Sequence, residues 1–186
     1  MTLTSLLPSL RRSIPDPIAH DRWPEGTVAT TSDVVVAGIS LRHLVEVCGT
    51  PCVHSGAAVK PGTGGRPSDT ATTAVLVMRI TAVAVHTSGL SVVETDARLD
   101  HLRLVWSELR LIVRVSTARS GAVLLAERPD DPDLARAANV SSVVLPLDLR
   151  VGDLLAVPSR PVATTWSLGA RAETSGSAPS WLSELA

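Results

Sequence analysis

LDLRVGDLLAVPS, residues 147–159, decides how the rest of this chain is read. Gly152 marks a turn, and the strand segment DLLAVP (153–158) follows it, apolar in its last five residues. Five residues are too few for an ordinary helix, so the stretch reads as a turn feeding a buried strand.

Working outward, the same kind of segment recurs at intervals of about ten residues with turn residues between, the signature of a barrel or sandwich. SVVLPL (142–147) precedes it, and AVLLA (122–126) ends at ERPDDPD. In LRLIVRV (109–115), Leu109, Leu111, Val113 and Val115 alternate with Arg110 and Arg114, which predicts a half-buried strand. LRLVW (102–106) and LSVVE (90–94) are further strands. AVLVMRITAVAV (74–85) is long enough to require a bend or bulge. DVVVAGI (33–39) is another strand. Ser40 then caps a short helix carrying Leu41, Leu44, Val45 and Cys48 on one face, and Gly49 and Pro51 stop it.

The expected fold is therefore all-β in the main, a single antiparallel Greek-key barrel with one or two short helices. Residues 1–32, broken by Pro8, Pro15, Pro17 and Pro24, read as an irregular segment. The barrel domain spans 33–168 and includes a flexible linker at 54–73, rich in Gly, Pro, Ser and Thr. Residues 134–138 suggest a helical turn, and 169–186 form a tail ending in Trp181 and Leu182.

Composition narrows the function classes. The chain has 186 residues, 45% of them hydrophobic, with a mean hydropathy of +0.25, enough for a packed core. A net charge of −1 gives no electrostatic basis for binding nucleic acid or an anionic membrane. No apolar run approaches the roughly 18 residues of a membrane span, and the N-terminus lacks the charge order of a secretory signal, so a cytoplasmic protein is expected. There is no Phe and no Tyr, and four Trp are the only aromatics. Small inward side chains in a closed barrel can leave a cavity at its centre. Cys48 and Cys52 sit in CGTPC without a second Cys/His cluster. Buried, reduced thiols are the reading preferred over a redox pair or half a metal site.

LPLDLRVGDLLAVP closely resembles the last barrel strands of diaminopimelate decarboxylase, of the fold-type III pyridoxal-phosphate-dependent family. VVVAGISLRHLVEVCGTPCV (34–53) resembles that family's N-terminal strand and helix, which end in GTPL, and WPEGTV (23–28) fits the same region. Between these ends, 74–157 follows the order of the family's C-terminal β-barrel. The resemblance covers about two thirds of the chain and implies that the family's (β/α)8 barrel is missing, with 54–73 spanning the excision.

The family's pyridoxal lysine would lie in that missing part. Lys60, the only lysine here, faintly echoes the HYAAKA motif, but it has neither the strands nor the phosphate site to hold a Schiff base. Pro129 stands near the catalytic cysteine of the CESGD loop, and Ala163 near a tyrosine that contacts cofactor and substrate. The chain is accordingly not expected to be a decarboxylase or to carry pyridoxal phosphate, and no metal site is expected. Asp130, Asp131 and Asp133, interleaved with prolines, read as an acidic turn.

Two functions are expected as alternatives. One is a cofactor-independent cyclase of secondary metabolism, holding an apolar, polyketide-like substrate inside the barrel and acting by proximity. Its catalytic candidates are Glu94, Asp96 and His101, in a segment that resembles an active-site-facing region of the family. Trp106, Met78 and Asp100 are its substrate-binding candidates. The other is a non-catalytic ligand-binding or partner-subunit barrel. The resemblance implies a surface able to form a homodimer in either case.

Overall fold

The computed structural model describes residues 2–86, 89–99, 103–127 and 140–163. The chain starts with α1 (Leu3–Leu6) and two 3-10 turns, Pro8–Arg12 and His20–Arg22. β1 (Val28–Ala29), β2 (Val34–Val36) and β3 (Ile39–Ser40) form a small antiparallel sheet. α2 (Leu41–Cys48) leads into β4 (Cys52–Val59) and the 19-residue β5 (Pro67–Val85). β6 (Ser91–Thr95), a 3-10 turn at Trp106–Glu108, β7 (Arg110–Ile112) and β8 (Ser120–Glu127) follow. β9 (Val140–Pro146), β10 (Leu154–Pro158) and β11 (Val162–Ala163) complete the set.

β4 to β11 make one nearly closed, mixed barrel sheet with the path β7-β10-β5-β6-β8-β9, while β4 and β11 pair with β5. The fold class is the expected one: mostly β, a barrel, with two short α-helices among the described residues. One pairing departs from a purely antiparallel order. β6 and β8 run parallel because the 24 residues between them cross over to place β7 at the far end of the sheet before returning.

β10 shows why its sequence is apolar at every position. Leu155 and Val157 join the inner cluster, whereas Leu154 and Ala156 join the outer one, so both faces are buried. β5 behaves alike, with Leu76, Met78 and Ile80 inward and Val75 and Val77 outward. It also carries the expected irregularity, a register shift between Ile80 and Ala82 where its partner β6 takes over from β4. The inner cluster comprises 14 buried apolar residues, drawn from β5, β6, β8, β9, β10 and the segment between β6 and β7. Aliphatic packing thus fills the barrel without Phe or Tyr.

The outer cluster is roofed by Trp23, Val34, Val36, Leu41 and Val45, all buried. α2 is placed by local chemistry that its sequence announces. The Ser40 hydroxyl accepts from the His43 amide, and Gly49, at φ 76°, ends the helix with its amide on the Val45 carbonyl.

Four expectations are corrected. Residues 54–73 are not a linker: they lie almost entirely in the β4–β5 hairpin, with a tip of only Lys60–Arg66. Thr70 to Thr73 are strand-forming residues hidden by a loop-like composition, and Thr73 is buried. DVVVAGI is not one strand, because Ala37 and Gly38 both take positive φ and make the two-residue turn between β2 and β3. Residues 103–106 give only a single bridge, Leu104 to Ser159, before the 3-10 turn. β7 stops at Ile112 because Val113 adopts φ 77° and donates to the Ser32 carbonyl. The segment at 1–32 is short in regular structure as expected, yet it packs onto the barrel and supplies Trp23 to the core. The helical turn at 134–138 and the tail at 169–186 lie outside the described residues.

Candidate functional site

β7 and β9 are the two ends of the sheet path, so the barrel has a seam between them. A cleft of about 290 Å³ opens there, lined from β7 and the residues after it, from the end of β9, and from the N-terminal segment. Its chemistry is set by three arginines, Arg11, Arg110 and Arg114, with Asp16 and Asp33 on the same walls.

Each arginine joins pieces of backbone that no strand pairing holds. Arg11 donates to the Ala118 carbonyl at 3.1 Å and to the Ser120 hydroxyl at 2.9 Å, while Asp16 lies 3.3 Å from its Nε as an ion-pair partner. Arg110 donates to the carbonyls of Asp16, at 2.7 Å, and Pro17, and its guanidinium lies over the Trp23 ring. Glu108 completes this corner by accepting from Trp23 Nε1 at 2.9 Å and from the Ala19 amide at 3.2 Å. Arg114 grips both oxygens of Asp153 at 2.7 Å and reaches Asp148. The first two arginines thereby fasten residues 11–23 over the seam, and the third fastens the turn before β10.

Burial lowers the Arg110 pKa, opposed by the nearby charges of Glu108 and Asp16. The bidentate bond to Asp153 raises that of Arg114 against its own burial. Burial pushes Asp148 up, but hydrogen bonds from Ser116 and Arg114 outweigh it and leave the carboxyl below its ordinary value. One donor is left over. Arg110 Nε is buried and makes no hydrogen bond to a protein acceptor, whereas Arg11 Nε has the Asp16 carboxylate beside it. A buried donor without an acceptor costs about 1–3 kcal/mol.

The residues expected to act elsewhere are not gathered here. Met78 is fully buried in the inner cluster, and Trp106 packs against that cluster from the 3-10 turn. Glu94 lies on β6 opposite Ala82 and Ala126, on the face away from buried Val93 and Thr95. Asp96 caps a strand, accepting from the Arg79 amide at 2.8 Å while its own amide donates to the Arg79 carbonyl. None of these four lines the cleft. Asp100 and His101, like Pro129 and Asp130, Asp131 and Asp133, lie outside the described residues.

The sequence carried one usable signal for the cleft, the arginine alternation of 109–115, which suggests a solvated face. The N-terminal segment covers Arg110 instead, and no local pattern announces that. Cys48 is exposed and Cys52 half-buried, so the expectation of two buried thiols is corrected, and both are free. Among the described residues no group of three or more His, Cys, Asp or Glu could hold a metal, and no helix is long and apolar enough to cross a membrane. Compared with known protein families and with curated proteins, the chain finds no match.

Proposed function

We propose that the chain is a non-catalytic ligand-binding barrel, with the seam cleft as its site. The observation that carries this reading is a cleft of ligand size at the seam with three arginines, Arg11, Arg110 and Arg114, in its lining. They favour a small molecule bearing carboxylate or phosphate oxygens. The carboxylates of the site are engaged by arginines, amides or hydroxyls, which leaves little to act as a general base. The cyclase alternative needs room inside the barrel, and the 14 packed side chains there weigh against it.

The decarboxylase resemblance stays part of the proposal. The tight β4–β5 tip falls where an excised (β/α)8 barrel would leave a short join, which supports that ancestry. A cytoplasmic location belongs to the same reading.

The test is thermal-shift and calorimetric titration with acetate, citrate and inorganic phosphate, followed by mass spectrometry of the recovered ligand. Expected are a saturable rise in melting temperature, its loss in Arg110→Met, and ligand returned unchanged. Absence of any saturable shift would remove the binding reading. Saturable binding with conversion of the ligand to a new product would replace it with an enzymatic one.

A further inference from the structure

The chain's two cysteines are brought near each other at the α2–β4 junction by elements that do not take part in the cleft. α2 lays Leu41 and Val45 on the outer cluster, with Leu44 partly buried beside them. Cys48 follows Leu44 by four positions and Leu41 by seven, so it lies on the same face of the helix, one turn beyond the covered stretch. Cys52 opens β4 opposite Val77 and packs against the same cluster from the sheet side. Cys48 thus lies, exposed, at the end of the helix face that packs on the outer cluster, and Cys52 packs against that cluster from the sheet. Only Gly49, Thr50 and Pro51 separate them. Even fully extended, that connection spans about 14 Å between Cα atoms, and the reversal at Gly49 shortens it.

We infer that Cys48 and Cys52 form a peroxide-sensitive thiol pair that closes reversibly into a disulfide across the α2–β4 junction. Exposure makes Cys48 the thiol that meets the oxidant. Its thiolate attacks one peroxide oxygen, the O–O bond breaks, and the second oxygen leaves as water, so Cys48 carries a sulfenic acid. The Cys52 thiolate then attacks the Cys48 sulfur. The S–S bond forms, the S–O bond breaks, and the departing hydroxide takes a proton to become water. Two thiols lose two electrons and the peroxide gains them. A dithiol reductant reverses the change.

The electrostatics of the junction govern the second step. Burial raises the Cys52 pKa, and the charges of Cys48 on α2 and Asp96 after β6 raise it further. Arg79 of β5 is the cation of the junction, donating from Nε to the Thr50 hydroxyl at 3.3 Å. Closure consequently speeds up as pH rises toward the Cys52 pKa, by up to about tenfold per pH unit. This inference stands apart from the binding reading, since neither cysteine lines the cleft.

The full-length chain is treated with hydrogen peroxide under native conditions, then denatured and labelled with a maleimide mass tag. Expected are the loss of both tags in a monomer lighter by two hydrogen atoms, and recovery of both tags after dithiothreitol. Cys52→Ser stops at the sulfenic acid and becomes reactive to dimedone, whereas the unaltered chain shows little dimedone adduct. Equal dimedone trapping in the two proteins would overturn the inference. So would sulfinic or sulfonic acid on Cys48 with Cys52 still open to the tag, or a disulfide-linked dimer.

Discussion

The wall built from β10, β5 and β6 and the seam between β7 and β9 close the same barrel by different physics. In the wall, backbone pairing is continuous and aliphatic side chains cover both faces of β5 and β10. At the seam, β7 and β9 do not pair, and guanidinium groups fasten the N-terminal segment and the neighbouring turns by donating to carbonyls and carboxylates. Burial of apolar area is nondirectional and tolerates exchange of similar shapes. A charged bridge demands a particular partner at a particular distance, and it leaves a buried charge when that partner goes. The wall holds the fold, and the seam holds whatever specificity the molecule has.

The largest expected effect breaks the wall. Leu155 is fully buried and lies opposite Met78 on one side and Leu111 on the other. Leu155→Ala opens a cavity where three strands meet and should cost about 2–5 kcal/mol. Urea denaturation with an unchanged slope measures it. A loss below about 1 kcal/mol would mean that the centre can collapse around the missing side chain, and the contrast with the seam would weaken.

Next comes the seam. Arg114→Met removes the partner of Asp153, whose side chain is only 9% exposed. The stranded carboxylate should cost about 2–3 kcal/mol. Adding Asp153→Asn should restore part of that loss, because the second change removes the uncompensated charge. If the double variant is as unstable as the sum of the single ones, the bridge is not a coupled pair. Arg11→Met is milder, about 1–2 kcal/mol, because Asp16 can turn to water. Its signature is local: limited proteolysis should cut residues 2–22 faster while the wall strands stay intact.

The wall was legible in the sequence because its cause is local. Leu154 to Pro158, or Leu76 to Ile80, show burial in their own residues, and Ser40 and Gly49 mark the ends of α2. The seam was not legible, because its partners are far apart in the chain. Arg11 finds Ser120 and Trp23 finds Glu108, and no pattern within either segment foretells those meetings. For the same reason Arg110 looked solvated and Asp96 looked available. One is covered by residues 16–23 and the other is engaged with the backbone at Arg79. The β4–β5 hairpin was missed on composition, since Thr, Ser and Gly serve strands and loops alike.

The seam should also respond to acid where the wall does not. Asp148 has its pKa lowered in the folded chain, from an ordinary value of 3.8. Its contribution to stability is therefore complete above that ordinary value and is lost as pH falls through the lower, folded one. Denaturation midpoints taken from pH 5 downward should drop faster in the parent chain than in Asp148→Asn, which never has that contribution to lose. Parallel curves for the two proteins would show that Ser116 and Arg114 do not tie the carboxylate in solution.

The smallest effect belongs to the hairpin tip. Lys60 and Asp69 form an ion pair 3.0 Å long, and that bond with its charge lowers the Asp69 pKa. Both side chains stand in water, where the attraction is screened and the entropy of holding two long side chains offsets most of the gain. Lys60→Met should leave the melting temperature within measurement error of the parent, at low and at high salt. The pair has the same chemical components as the bridges of the seam, but it fastens nothing that β4 and β5 do not already hold by strand pairing. A measurable loss of stability there would mean that ion pairs hold this molecule together wherever they occur, and the seam would cease to be special.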